Sequence, residues 1–217
     1  IIMPKNAPNF KKNAVIKTTN NLIECKSTLE DREKTTTEIQ NKYNLTFIHP
    51  SNDLDVILGN STVVSELIQD HADLDYILCP VGGGGLIAGS ALACNAYSDK
   101  CEIIGVEPLN VNDAHRSLKS KKIEYNLNTD TIADGLRTNL GNINFPIILD
   151  YIKSIICVNE DEIINAMKLI YEKLNILIEP SSAVAFAGIL KEKEKFKGKK
   201  VGVILSGGNV DSNKLPF

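Results

Sequence analysis

The chain has 217 residues, a net charge of −3 and 43% hydrophobic residues, which is ordinary for a globular protein with one large or two small domains. The lack of a basic excess argues against a nucleic-acid or anionic-membrane partner, and no apolar run approaches the length of a membrane span. Five scattered cysteines without CxxC spacing indicate reduced thiols and a cytoplasmic protein (Cys25, Cys79, Cys94, Cys101 and Cys157).

The first 52 residues are predicted to form part of a small α/β domain. The chain begins Ile1-Ile2-Met3-Pro4, which is typical of the end of a strand, and we interpret it as a fragment that lacks upstream sequence. A helix over 8–17, a strand over 22–25, a helix from the capping-box pattern Ser27–Glu30 to about Tyr43, and a strand over 46–49 are expected to follow.

Residues 53–217 are predicted to form a larger domain in which strands alternate with helices. This alternation predicts a parallel sheet with helices on both faces. The predicted helices cover 53–70, 86–97, 112–120, 159–174 and 181–194, and the strands cover 74–81, 101–106, 154–158 and 200–205. The segment Asn159–Glu162 is expected to cap the helix over 159–174, with its acids in the first turn.

A glycine run, Val81-Gly82-Gly83-Gly84-Gly85, lies between the strand over 74–81 and the helix over 86–97. Glycines let the backbone approach a ligand closely, and free amides at a helix N-terminus bind anions. The spacing is neither GxGxxG nor a nucleoside-triphosphate loop, so we predict a different phosphate ligand. The structural alternative is a tight turn that only changes the chain direction.

A second glycine turn, Ser206-Gly207-Gly208-Asn209, follows the last predicted strand. Ligands of open α/β sheets bind outside the carboxyl ends of the strands, so the two turns are expected to meet at one ligand. The Ser206 hydroxyl suits a ring nitrogen; taken alone, the residue is more typical of a helix N-cap.

Several segments together resemble the fold type II pyridoxal-phosphate enzymes (tryptophan synthase β-like), in the serine racemase and serine/threonine dehydratase group. The matching segments run in family order along nearly the whole chain: Met3-Pro4 with Ala7-Pro8, His49-Pro50, Pro80–Gly89, Val106-Glu107-Pro108, Ile132–Gly135, Ile178–Ala183 and Leu205–Asp211. The resemblance implies an α/β fold, incomplete at its N-terminus, and pyridoxal 5'-phosphate as the cofactor.

The resemblance also implies roles for individual residues in holding the cofactor. The backbone amides of Gly82, Gly83, Gly84, Gly85 and Leu86 would hold the cofactor phosphate. Ser206 would face the pyridine nitrogen, and Gly135, otherwise a simple turn glycine, would lie close to the ring. Glu179 would lie near the active site as a secondary catalytic candidate; the alternative is that the following backbone satisfies its charge.

A divalent cation is the second group that the resemblance implies. Glu107, the carbonyl of Val111 and Asp113 match the family's cation site, and such hard oxygen ligands suit Mg²⁺, Ca²⁺ or Mn²⁺. Alone, a Glu and an Asp at this spacing are usually solvated surface groups.

The lysine that binds the cofactor covalently in this family lies in a Ser-x-Lys-x-Arg motif, and the resemblance places that motif upstream of Ile1. Ser117-Leu118-Lys119 matches part of it by chance, in a polar segment, and we reject it as a substitute. No Schiff-base lysine is therefore assigned in this chain, and we expect the chain alone to be inactive.

The favoured hypothesis is that the chain is the C-terminal portion of a serine racemase or of an L-serine or L-threonine dehydratase (ammonia-lyase). The resemblance implies that the full-length form acts on a small amino acid and is a homo-oligomer. One alternative is a truncated, inactive paralogue that binds phosphate ligands or a partner subunit. A cysteine-synthase-like lyase is disfavoured by the segments Glu107–Asp113 and Ile178–Ser182. The coding sequence upstream of Ile1 would separate the first two.

Overall fold

The computed structural model describes residues 1–217, apart from the side chain of Leu29. It divides into two units, one formed by Ile1–Ile48 with Asn209–Leu215 and the other by His49–Gly208 with Pro216–Phe217. No helix in the described residues is both long and apolar enough to cross a membrane.

The first unit contains two short parallel strands and two helices. They are β1 (Ile2–Pro4), α1 (Asn9–Thr18), β2 (Ile23–Cys25) and α2 (Leu29–Tyr43), with β1 paired to β2. The cap of α2 lies one residue later than the predicted pattern, because Thr28 is extended and its hydroxyl accepts the Asp31 amide at 3.1 Å.

The strand predicted over 46–49 is wrong. Residues 45–49 have no regular structure, and the side chains of Leu45, Phe47 and Ile48 are exposed. A strand needs a neighbour to satisfy its amides and carbonyls, and neither sheet of the described residues includes this segment.

The second unit is built on a four-stranded sheet. Its elements are α3 (Leu54–Asp70), β3 (Tyr76–Pro80), α4 (Gly85–Tyr97), β4 (Glu102–Pro108), α5 (Asp113–Ser120), α6 (Asn144–Tyr151), β5 (Ile155–Val158), α7 (Glu160–Leu174), α8 (Pro180–Lys191), α9 (Lys193–Phe196) and β6 (Val201–Val203). Short 3₁₀ turns cover Leu109–Val111 and Asp134–Leu136. The strand order is β5-β4-β3-β6, and every pair is parallel, which confirms the predicted fold class.

Helices cover both faces of this sheet. Because successive residues of a strand point to opposite sides, a single strand contacts helices on both faces. On β4, Gly105 faces Ile87 of α4, whereas Val106 packs against Gly188 of α8. The buried side chains of β3 and α4, among them Ile77 and Ile87, form the centre of the core.

The starts of α7 and α6 differ in how well the sequence predicted them. The predicted cap of α7 is confirmed as a full capping box, in which Asn159 and Glu162 exchange side-chain and backbone hydrogen bonds. By contrast, α6 was not predicted. It carries Pro146 in its first turn, where a helix needs no amide donor.

Candidate active site

The glycine loop connects the carboxyl end of β3 to the first turn of α4. All residues from Val81 to Gly85 are buried. Among the hydrogen bonds of the described residues, none is donated by the amides of Gly82, Gly83, Gly84 or Gly85. Buried amides without an acceptor are costly, so this loop offers four donors to an anion at a helix N-terminus.

The loop needs glycine for steric and conformational reasons. Gly84 has φ of +86°, and a Cβ there would lie 2.7 Å from Asn144 Oδ1. A Cβ on Gly85 would lie 2.8 Å from Ser51 Cα. Side chains are excluded on the protein side of the loop, and this favours a loop that presents backbone to a ligand.

Asn144, the first residue of α6, fixes the loop in place. Its fully buried amide donates to the carbonyls of Gly83 at 2.7 Å and Ser51 at 2.8 Å, and its Oδ1 accepts the Gly141 amide at 3.1 Å. This residue was not predicted from the sequence. The only available signal was a polar residue at the head of the apolar segment Phe145–Leu149.

The 3₁₀ turn Asp134–Leu136 packs against the loop. A Cβ on Gly82 would lie 2.9 Å from Leu136 Cα and 3.1 Å from the Gly135 carbonyl. The Gly135 amide donates to Ser181 Oγ at 3.0 Å, which connects this turn to the start of α8. The structure therefore brings Gly82 and Gly135 together, 53 positions apart in the sequence (135 − 82).

The turn after β6 is held by a buried serine of α8. Ser182 Oγ donates to the Gly207 carbonyl at 2.6 Å, accepts the Gly207 amide at 2.6 Å, and lies 3.4 Å from Ser206 Oγ. Residues 204–217 contain no helix, so the interpretation of Ser206 as an N-cap is wrong. Ser182 is a second residue that sequence reasoning missed.

Glu179 lies between the 3₁₀ turn Asp134–Leu136 and the turn after β6. It precedes Pro180 as the N-cap residue of α8. Its Oε1 lies 2.8 Å from the position of a Cβ on Gly207 and 3.9 Å from that of a Cβ on Gly135. A half-buried carboxylate therefore faces the gap between the two turns.

The carboxylates of Glu107 and Asp113 form a separate buried pair. Glu107 Oε1 and Oε2 accept the amides of Ala114 at 3.1 Å and His115 at 2.8 Å. Asp113 Oδ1 accepts from Asn126 Nδ2 at 2.6 Å, and Oδ2 accepts the Leu140 amide at 3.0 Å. Glu107 is fully buried and Asp113 is 1% exposed, so this pair is not a solvated surface feature.

Burial raises the pKa of both carboxyl groups. Burial, reinforced by the charge of Asp113, raises the pKa of Glu107 to about 8, and burial raises the pKa of Asp113 to about 6. The Val111 carbonyl, in the 3₁₀ turn between them, accepts no hydrogen bond from the described residues. The described residues contain no group of three or more His, Cys, Asp or Glu side chains that could hold a metal.

The segment Ser117-Leu118-Lys119, which matches part of the lysine motif, has a structural role. It lies in α5, and Ser117 is buried with its hydroxyl accepting the Glu124 amide at 2.8 Å. This bond fixes the loop that follows the helix.

Comparison with known proteins identifies the family. The model of a family described as pyridoxal-phosphate dependent enzyme matches residues 1–207. A serine racemase from Dictyostelium discoideum is 42% identical over 99% of this chain and 68% of its own length. A beta-hydroxyaspartate dehydratase from Paracoccus denitrificans is 39% identical over 100% of this chain and 69% of its own length.

A solved structure of maize serine racemase has a TM-score of 0.94 and 36% identity, and the match covers 98% of this chain and 66% of that one. The chain thus spans about two thirds of the length of the relatives it matches. With the family model matched over most of its residues, the chain belongs to the family of pyridoxal-phosphate dependent enzymes.

Proposed function

We propose that this chain contributes the phosphate- and ring-binding part of the site in a racemase or ammonia-lyase that acts on a small hydroxyl amino acid, L-serine or L-threonine. The observation that carries the proposal is the buried loop Gly82–Gly85 with its four unpaired amides. Relatives named serine racemase and beta-hydroxyaspartate dehydratase support a substrate with a β-hydroxyl group.

The glycine loop fits the phosphate of this cofactor. The amides of Gly82 to Gly85 and of Leu86 would donate to the phosphate oxygens, and the positive end of the α4 dipole would favour their charge. Bound pyridoxal phosphate supplies an electron sink for the pair of electrons left when the substrate loses a proton.

Ser206 would donate or accept one hydrogen bond at the pyridine nitrogen. A hydroxyl does not keep that nitrogen protonated as a carboxylate would, which favours elimination or racemisation over transamination. Ser182 would orient Ser206, because its hydroxyl forms two hydrogen bonds of 2.6 Å with the carbonyl and the amide of the next residue, Gly207. Gly135 would leave room beside the ring, and Glu179 would be a secondary candidate for moving a proton in the gap between the glycine turns.

The cofactor proposal is tested by titrating pyridoxal 5'-phosphate into the whole chain and following its fluorescence. Gly84→Ala is expected to weaken binding by about tenfold or more, because the side chain strains a backbone at φ of +86° and displaces Asn144. Gly198→Ala is the matched control, since Gly198 has φ of +72° with no atom within 4 Å of its Cβ position. Equal affinities for the two variants would contradict the proposal.

Activity is tested separately, with L-serine and L-threonine as substrates and D-serine, pyruvate and 2-oxobutanoate as measured products. The assay uses this chain and any longer product of the same gene. Turnover by the longer product supports the proposed reaction. Cofactor binding without any turnover would instead support the truncated, inactive paralogue.

We further propose that Glu107, Asp113 and the Val111 carbonyl bind a divalent cation, with Mg²⁺ favoured over Ca²⁺ or Mn²⁺. Two buried acids, whose pKa values are raised mainly by burial, and the Val111 carbonyl, which accepts no hydrogen bond from the described residues, supply hard oxygen ligands of the kind that suits such an ion. The cation would stabilise the fold around α5 and would not touch the substrate.

The cation proposal predicts a higher unfolding temperature in magnesium. An ion at a hundred times its dissociation constant adds about 2.7 kcal/mol. Glu107→Gln and Asp113→Asn are expected to lose this increment, measured as the difference with and without Mg²⁺ in each variant. Glu102→Gln, on the same strand but partly exposed and paired with Lys153, should retain it. A shift that survives in Glu107→Gln would exclude the site.

We also propose that the full-length form is a homo-oligomer, in line with the family resemblance. Exposed apolar side chains on α3 (Leu54, Leu58 and Val63) support an interaction surface. Light scattering tests this, and a monomer at assay concentration would contradict it.

A further inference from the structure

Two cysteines meet at the end of α4, away from the glycine loop. Cys94 lies in the last turn of α4 and Cys101 directly precedes β4, seven positions later. Cys94 Sγ lies 3.1 Å from the Cys101 carbonyl and is within hydrogen-bond distance of it. Both are free thiols.

A surface cavity of about 190 Å³ gives access to this pair. Its lining includes both cysteines and the side chains of Lys100, Tyr151 and Lys153. Cys94 is 4% exposed, whereas Cys101 is partly exposed, so a small reagent that enters the cavity meets Cys101 first.

The surroundings make the two thiols unequal. A hydrogen bond from the Cys94 thiol, with a smaller contribution from Lys100, lowers the pKa of Cys101, and the same hydrogen bond raises the pKa of Cys94. Elsewhere, burial raises the pKa of Cys79 to about 12 and that of Cys157 to about 11. Cys101 therefore ionises more readily than these two thiols.

We propose that Cys94 and Cys101 form a reactive dithiol site that is oxidised to an intramolecular disulfide by the disulfide of a small thiol, with Cys101 as the attacking and Cys94 as the resolving residue. The proposal stands on the contact between the two residues and on the cavity they share. It does not depend on the proposed cofactor or substrate.

The reaction balances with the small disulfide as the oxidant. The Cys101 thiolate attacks one sulfur of the disulfide, forms a mixed disulfide and releases one small thiolate. Cys94 then gives up its proton and attacks Cys101 Sγ, so that the protein disulfide forms and the second small thiolate leaves and is protonated. Two protein thiols are oxidised, and one small disulfide is reduced to two thiols.

The new bond would lie at the opposite end of α4 from Gly85, where the phosphate loop begins. It would close a short loop between α4 and β4, and it leaves the contacts of Asn144 with the loop untouched. We therefore expect pyridoxal 5'-phosphate affinity to be similar in the oxidised and reduced proteins.

The test treats the whole chain with oxidised glutathione and analyses peptides by mass spectrometry. The wild type should lose two hydrogens in a peptide pair linking Cys94 to Cys101. Cys94→Ser should stop at a glutathione mixed disulfide on Cys101, and Cys101→Ser should block reaction at this site. Cys157→Ser is the matched control, because Cys157 is also partly exposed, and it should react like the wild type.

A trivalent organoarsenical, which bridges two neighbouring thiols, provides a second measurement. One equivalent should bind to the wild type, and binding should be lost in Cys94→Ala and in Cys101→Ser. The proposal is overturned if oxidised glutathione modifies Cys157 as fast as Cys101, or if the Cys94 variants yield the same products and arsenical binding as the wild type.

Discussion

Asn144 shows how much of the candidate site depends on a single side chain. Its amide connects three backbone segments, at Ser51, Gly83 and Gly141, and the asparagine itself is fully buried. An asparagine suits this position because its NH₂ group donates to two carbonyls and its oxygen accepts from one amide, which are the three partners present here.

Replacement of Asn144 by alanine is expected to reduce the free energy of unfolding by about 1–3 kcal/mol, because it leaves buried carbonyls without donors. It should also weaken cofactor binding, since Gly83 loses its fixed position. Chemical denaturation and fluorescence titration measure the two effects.

Asn142→Ala is the control for that variant. Asn142 is exposed, and among the described residues its side chain bonds only to that of Asn52, so its loss should change stability by less than about 0.5 kcal/mol. If the two variants prove equally stable, Asn144 does not support the loop.

At the scale of elements, two helical glycines that look alike in the sequence have opposite roles. Gly59 lies on the exposed side of α3, with no atom within 4 Å of its Cβ position. Gly89 lies in α4, where a Cβ would collide with the α3 backbone at the Ile57 carbonyl and would lie 2.8 Å from the Ser61 amide. Close approach of α3 and α4 therefore requires Gly89 and not Gly59.

This difference predicts stability changes of opposite sign. Gly59→Ala should stabilise the protein by roughly 0.5–1 kcal/mol, because alanine costs less backbone entropy in a helix. Gly89→Ala should destabilise it by about 1–3 kcal/mol, because α3 must move away. Denaturant midpoints of the two variants check both signs, and a stabilised Gly89→Ala would show that the two helices do not approach so closely.

At the scale of the whole molecule, burial is unevenly divided between the two units. Among the residues whose burial is described in 1–48 and 209–215, Cys25 alone is buried. The second unit contains the apolar core around Ile77, Ile87 and Ile148. Since burial of apolar surface dominates stability, the first unit contributes little of its own.

Hydrogen exchange should reveal this gradient. Amides paired between β1 and β2, such as Ile23 and Lys5, are expected to exchange orders of magnitude faster than those between β3 and β4, such as Val81. Mass-spectrometric exchange on the whole chain measures this. Equal protection of the two sheets would mean that stability has a source other than buried apolar area.

Features that depend on neighbouring residues could be predicted from the sequence. Gly82–Gly85 after an apolar strand predicted the loop, the Asn159–Glu162 pattern predicted the start of α7, and alternating elements predicted the parallel sheet. Glycine conformations, caps and periodicity act over a few residues, so they can be read directly.

Contacts between residues far apart in the sequence could not be predicted, because they form only when the elements pack together. Asn144 and Gly83 are 61 positions apart, and Ser182 and Gly207 are 25 apart, yet each pair is hydrogen-bonded. In the part of the chain that the structure describes, the segment 46–49 has strand-forming residues but pairs with no strand, and no helix follows Ser206. Such outcomes depend on which surfaces pack together, because a buried polar group is stabilised only by the partner that packing brings to it.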